Sequence, residues 1–290
     1  MSTNGTERTQ TAMSSSENDS NKATAETKTP ALIPALIDFQ NISVVRGNKL
    51  ALNNVTLRIS QKEHVAILGP NGCGKSTLIK TITRECYPLY SPDSRITIMG
   101  EQRWNVFELR LLLGIVSNDL MAICRTDTTG RDIVLSGFFS SVGIFSNHHL
   151  EPDQLKRADA ALADVGALHL ADRPVVQMSS GESQRILIAR ALVHEPQALL
   201  FDEPSNSLDL FMQRDLRETM RKLAQSGVGI VLVTHQTADI IPEIERVVLM
   251  RDGRVVGDGR KEDMLTEERM SALFGFPARI NHRDGYCYVW

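Results

Sequence analysis

The chain has 290 residues, 42 % of them hydrophobic, enough to bury an ordinary core in one large domain or two smaller ones. Its 32 basic and 35 acidic side chains leave a formal charge of −3 with no long basic stripe, so nothing points to a nucleic-acid partner. No apolar run nears the roughly 18 residues of a membrane span, and Cys73, Cys86, Cys124 and Cys287 form no C-x-x-C pair, which argues against a zinc site or disulfide scaffold and suits a reducing cytoplasm.

Residues 1–33 are rich in Ser, Thr and Asn and nearly free of large apolar side chains, and are expected to be a disordered tail. They hold no apolar stretch of a secretory signal, and Glu7, Glu17, Asp19 and Glu26 do not suit a transit peptide. From Ile37 to Ile59 apolar and polar residues alternate, which predicts two half-buried antiparallel strands. "HVAILG" reads as a short buried strand leading into a Gly-rich loop and a helix from about Lys75. The strands "RITIMG" and "LGIVSN" follow, with the helix "NVFELRLLL" between them. Strand signals then stop, and residues of about 119–177 read as an inserted helical subdomain containing "DQLKRADAALADVGAL". Strands return in "ALLFDEP" and "GIVLVTH", with helices between, an alternation that predicts a parallel sheet with crossover helices. A hairpin is expected around Asp252-Gly253, then one helix over "KEDMLTEERMSALFG" and a closing segment, 276–290. No internal repeat is present.

"GPNGCGKST", Gly69 to Thr77, fits the pattern of a phosphate loop between a strand and a helix. Gly69, Gly72 and Gly74 let the backbone of Gly69, Pro70, Asn71, Gly72, Cys73, Gly74, Lys75, Ser76 and Thr77 curl around a phosphate chain. Lys75 supplies a point charge to the β- and γ-phosphates, and the Ser76 hydroxyl a ligand for Mg²⁺. Cys73 within this loop is either a thiolate favoured by the helix N-terminus and Lys75 or an inert small residue. Asp202 and Glu203 end a buried strand, the edge at which open α/β sheets bind ligands. There Asp202 would hold Mg²⁺ through water, and Glu203 would orient and deprotonate an attacking water. His235 ends another strand and is placed to donate to a γ-phosphate. A second anion site is read in "MSSGESQR", where small residues open a helix whose N-terminal N–H groups are free.

The order "GPNGCGKST", "SSGESQR", "LLFDEP", "SNSLD", "VTHQ" closely resembles the nucleotide-binding subunit of ATP-binding cassette transporters, over about residues 36–260. The resemblance implies an α/β fold: a P-loop, RecA-like core with an antiparallel β subdomain and the inserted helical subdomain, together spanning 36–275. It implies ATP and Mg²⁺ as cofactors. It also implies a head-to-tail homodimer in which the helix beginning at Ser179 and Gly181 of one copy faces the phosphate loop of the other. That would explain two anion sites in one chain: each copy contributes half of each of two composite sites. Asp209, in "SNSLD", would line the seam. Two positions depart from the family pattern. Arg46 stands where an aromatic residue usually stacks on adenine, and a guanidinium can stack in its place. Asn118 stands where the family carries Gln, one methylene too short to contact Mg²⁺ except through a water. "RDIVLSGFFSSVGIF" and "MSALFGFPARINHRDGYCYVW" resemble the iron-chelate and molybdate/photorepair branch.

The expectation is an ATPase subunit of a transporter, importing a metal chelate or an oxyanion. It would sit on the cytoplasmic face of the cell membrane with an integral membrane permease docked on the helical subdomain. The alternative is a soluble cassette protein in repair, translation or regulation, without a membrane partner.

Overall fold

A computed structural model describes residues 35–206 and 208–290; the expected tail and Ser207 of the "SNSLD" turn lie outside the described residues. The hairpin of β1 (Ala35–Arg46) and β2 (Lys49–Ser60) forms as predicted, its alternate residues Ile37, Phe39, Leu57 and Ile59 turned inward. The strand β3 (His64–Leu68) runs into the phosphate loop and α1 (Lys75–Ile82). Next comes β4 (Arg95–Ile98), which leaves the central sheet and pairs antiparallel with β1, giving a three-stranded sheet in the order β2-β1-β4. After α2 (Val106–Leu112) the chain enters β5 (Leu113–Ser117).

Residues 119–177 carry helices, as the loss of strand signals predicts. They comprise most of α3 (Asn118–Cys124), then α4 (Gly130–Leu135) and α5 (Pro152–Asp164), followed by short 3₁₀ turns. The next helix, α6 (Ser180–Leu192), packs against α4 and α5 on one side and against β5 on the other. It approaches the sheet closely: a side chain on Gly114 would meet the Ala191 carbonyl oxygen at 2.5 Å. The chain then forms β6 (Ala198–Asp202), α7 (Leu210–Gln225), β7 (Gly229–Thr234) and the hairpin of β8 (Arg246–Arg251) and β9 (Arg254–Arg260).

The central sheet has the order β5-β6-β7-β3-β8-β9, parallel except for β9. Both faces are covered, which is why its strands read as unbroken apolar runs. Val65, Ile67, Leu200, Val231 and Val233 face α1 and the antiparallel sheet, whereas Ala66, Leu68, Phe201 and Leu232 face the core shared with the other helices.

One expectation near the C-terminus needs correction. The single last helix is two: α8 (Lys261–Met264) and α9 (Glu267–Phe274). The break falls at Thr266, whose extended backbone and side chain, accepting from the Arg269 N–H, cap a new helix. The closing segment is a hairpin, β10 (Ile280–Arg283) with β11 (Tyr286–Val289). Its turn places Asp284 and Gly285 at positive φ, the same Asp-Gly signal that marks the turn at 252–253. Among the described residues no helix is long and apolar enough to cross a membrane, and the four cysteines are free.

Candidate nucleotide site

Four parallel strands deliver the candidate residues to one edge. β3 ends at the phosphate loop, β6 at Asp202, β7 before His235 and β5 before Asn118. Register makes the alignment: Ser117 pairs with Asp202, Asp202 with Val233, and Leu68 with Thr234. The chain leaves β3 toward β5 on one side and reaches β8 on the other. The loop after β3 is therefore the switch point at which such sheets bind ligands.

The phosphate loop is wedged between other backbones, and this is why its glycines are needed. A Cβ on Gly69 would lie 2.1 Å from the Met250 carbonyl oxygen, and one on Gly74 would lie 2.4 Å from that of Ala51. Gly74 also holds φ 111°, a conformation that side chains strain. The Gly253 N–H donates to the Cys73 carbonyl at 2.8 Å, so the β8–β9 turn braces the loop. Cys73 points inward and is 4 % exposed. Burial raises its thiol above the ordinary value and outweighs Lys75, so the thiolate expectation gives way to the inert one. Its backbone N–H donates to the Pro70 carbonyl at 3.3 Å.

Lys75 is buried. Its Nζ donates to the carbonyls of Gly69 (2.8 Å) and Pro70 (3.0 Å) and lies 3.3 Å from Glu203 Oε1. The Ser76 hydroxyl donates to Asp202 Oδ1 at 3.3 Å. Burial raises the Asp202 carboxyl, partly offset by that bond. Glu203 is the most constrained acid of the site. Burial alone would raise it, but the Lys75 ammonium, the Asn206 amide and His235 prevail and hold it below the usual carboxylate range. It is therefore ionised at neutral pH, as a proton acceptor must be. Its backbone sits at φ 49°, a strained region for a residue with a side chain. Four hydrogen bonds hold it there. Its N–H donates to the Val233 carbonyl at 2.8 Å, its carbonyl accepts from Asn118 Nδ2 at 3.0 Å and from the Asn206 N–H at 3.2 Å, and its Oε2 accepts from Asn206 Nδ2 at 2.7 Å.

Asn118 thus reaches the site, but its amide nitrogen is spent on the Glu203 backbone. Residues Ser76, Ser117, Asn118, Asp119, Asp202 and Glu203 line a cleft of about 150 Å³. These oxygen-bearing side chains suit a hard cation. Among the described residues no three acids, His or Cys converge into a metal cage, in keeping with an ion held by one or two side chains and by phosphates. His235 Nδ1 lies 3.5 Å from Glu203 Oε1 and has no hydrogen-bond partner among the described residues. Arg46 lies exposed at the β1–β2 turn.

The helix end read from the sequence as a second anion site with free N–H groups is capped, so the N–H groups of Ser179 and Glu182 are not free. Ser179 Oγ accepts from the Glu182 N–H at 3.3 Å, and Glu182 Oε2 accepts from the Ser179 N–H at 2.8 Å, a reciprocal capping box. Those backbone bonds, with Arg173 Nη1 at 3.0 Å from Glu182 Oε1, hold the Glu182 carboxyl below its usual value against a smaller opposing push from burial. The charge of Glu182 is thereby paired within its own chain. Gly181 is pressed against Met212 in the first turn of α7, and Asp209 caps α7 by accepting from the Met212 N–H at 2.9 Å.

Sequence reasoning missed Asn206, Gly253 and a buried acid, Asp239. Asp239 Oδ2 accepts from Ser205 Oγ (2.6 Å) and Thr234 Oγ1 (2.8 Å), tying the segment after Glu203 to the strand end before His235. Asn206 follows Glu203 by three residues and was within reach of a sequence argument. Gly253 reads in the sequence only as part of a hairpin turn, and Asp239 carries no local signal.

A phosphate loop at the switch point, with a hydroxyl–Asp pair and an ionised Glu beside it, defines a P-loop nucleotide hydrolase. The chain belongs to the ABC transporter family, whose pattern spans residues 52–206, and is an ATP-binding, ATP-hydrolysing subunit of that family. It is 30 % identical over 250 residues to the ABC transporter ATP-binding protein YlmA of Bacillus subtilis, across 84 % of this chain and 93 % of that one. It is 31 % identical over 267 residues to the hemin import ATP-binding protein HmuV of Bradyrhizobium diazoefficiens, across 88 % and 94 %. Among solved structures it resembles the ATP-binding cassette MJ0796 in a dimeric post-hydrolysis state bound to ADP and Pi, with TM-score 0.63, 27 % identity, and coverage of 77 % of this chain and 98 % of that one.

Proposed function

We propose that this chain is the Mg²⁺-dependent ATPase subunit of an importer, working as a head-to-tail homodimer with an integral membrane permease on the cytoplasmic face of the membrane. The observation that carries the reading is Glu203: a carboxylate held ionised and strained at the strand edge, 3.3 Å from the phosphate-loop lysine. The phosphate-loop N–H groups and Lys75 bind the phosphates of ATP. Lys75 would exchange its two loop carbonyls for phosphate oxygens, a stronger charge-assisted pairing. Ser76 and Asp202 would hold Mg²⁺, which neutralises phosphate charge when bound. Glu203 accepts the proton of the attacking water, and His235, beside it, orients that group and reaches the γ-phosphate. Asn118 acts through the Glu203 backbone rather than on the metal, and Arg46 stacks on the base. Gly181 of the second copy, through its N–H at a helix N-terminus, and Ser179, through its hydroxyl, close the site. The dimeric cassette MJ0796 supports the assembly, and the hemin importer HmuV supports a metal chelate as cargo. Residues 119–177, within an ATPase domain of 36–275, would carry the permease contact.

Glu203→Gln should bind ATP, abolish turnover and trap the dimer, because an amide accepts no proton. Size-exclusion chromatography with Mg-ATP reads this. A monomer under those conditions, with ATP bound, refutes the composite site. Co-purification of a multi-span protein in mild detergent tests the permease; a clean cytosolic homodimer refutes it.

A further inference from the structure

Two apolar features lie outside the roles assigned so far. Directly after Asp209, in the first turn of α7, Leu210 is 84 % exposed and Phe211 70 %. Adjacent bulky apolar side chains standing in water mark a surface that becomes covered. They stand beside the anion-binding end of α6, because Gly181 packs directly on Met212 of the same turn. The second feature is a cleft of about 330 Å³ between the His235–Ala238 segment and the C-terminal elements. His235 lies on one wall, and Phe274, Phe276 and Tyr288 on the other. The cleft borders the reacting end of the nucleotide site through the contact of His235 with Glu203.

We propose that in the ATP-closed dimer Leu210 and Phe211 of each copy seat in the aromatic cleft of the other. The inference rests on the composite-site reading above. If the N-terminus of α6 meets the phosphates held by a second copy, the α7 turn packed against it arrives at the same edge. The wall it meets there runs from His235 into Phe276 and Tyr288. Apolar surface then meets apolar surface. The two-fold relation makes the contact twice. The C-terminal segment 276–290 thereby completes a surface that senses whether the partner has closed on ATP.

The test uses the full chain carrying Glu203→Gln, with Mg-ATP, and reads the concentration of half-dimerisation by light scattering. Phe211→Asp and Phe276→Asp should each raise it at least about tenfold, since a carboxylate replaces a buried phenyl ring. Tyr90→Asp, at a side chain 93 % exposed elsewhere, should leave it unchanged. Each variant monomer is checked for ATP binding. As a second readout, chains bearing Phe211→Cys are mixed with chains bearing Phe276→Cys and oxidised. A covalent dimer that needs ATP and maps by mass spectrometry to positions 211 and 276 supports the contact, and it decides the matter should an aspartate variant fail to bind ATP. A parent that dimerises while the aspartate variants match it, or while the cysteine pair fails to link, overturns the contact and leaves the composite site standing. A parent that stays monomeric overturns both.

Discussion

Removing the Asn118 side chain tests whether Glu203 is held from behind. In Asn118→Ala the Glu203 carbonyl loses the donor at 3.0 Å but keeps the Asn206 N–H at 3.2 Å, while the Glu203 N–H keeps Val233 and its Oε2 keeps Asn206 Nδ2. One neutral hydrogen bond contributes roughly 0.5–1.5 kcal/mol net. Asn118 is exposed, so water can replace it and the lower half of that range applies. The strain at φ 49°, on the order of 1–3 kcal/mol for such a residue, favours relaxation once a restraint is gone. The three surviving hydrogen bonds oppose it. The barrier should rise by less than about 1.4 kcal/mol, a loss in kcat below about tenfold, with KM for ATP unchanged. Asn118→Asp should be worse than alanine, because it sets a carboxylate against the Glu203 carbonyl and close to Asp202 in the same cleft. The assay is steady-state phosphate release at saturating Mg-ATP for these variants beside Glu203→Gln. If Asn118→Ala is as inactive as Glu203→Gln, Asn118 touches the reacting groups and the backbone argument is wrong. No change at all would show that the bond contributes nothing.

Cys73 should resist maleimide at neutral pH with or without ATP, because burial raises its thiol above the ordinary value of 9.0, and should label fully once the chain is unfolded; rapid labelling that ATP blocks would restore the thiolate reading. Glu182→Ala should cost about 0.5–2 kcal/mol through the lost capping box, read by denaturant melting. The Glu182 carboxyl is depressed in the folded state, so its contribution is full above its unfolded value near 4.5 and fades as pH falls through the folded one; wild type and Glu182→Ala should converge at low pH. His194, its Nδ1 unpartnered among the described residues, is lowered to about 4 by burial and then by Arg190 and Arg157. It is neutral when folded. Stability should therefore fall by up to about 3 kcal/mol as pH drops from 6.5 toward 4, and His194→Gln should flatten that part of the profile; an identical acid profile in the variant would remove the idea.

The motifs that define this protein are local, and so were legible in the chain. A phosphate loop needs its glycines, Lys75 and Ser76 in consecutive positions, because one turn and one helix end do the binding. Asp202-Glu203 and His235 could be placed at strand ends because a buried parallel strand is an apolar run that stops where the ligand edge begins. The capping box of Ser179 and Glu182 lies within four residues, yet in the sequence that helix end reads as one with free N–H groups. The tertiary structure alone decided what joins distant segments. It put Asn118 beside Glu203 through the pairing of β5 with β6, where its amide nitrogen restrains the Glu203 backbone. It turned Cys73 into the core, where desolvation outweighs a neighbouring cation. It brought Gly253 under the phosphate loop and linked Ser205 to Thr234 through Asp239. It divided the last helix at Thr266, where side-chain capping competes with continued helical bonding. Each of these is set by register and packing between segments far apart in the chain, and spacing along a single chain holds no record of which strand lies beside which.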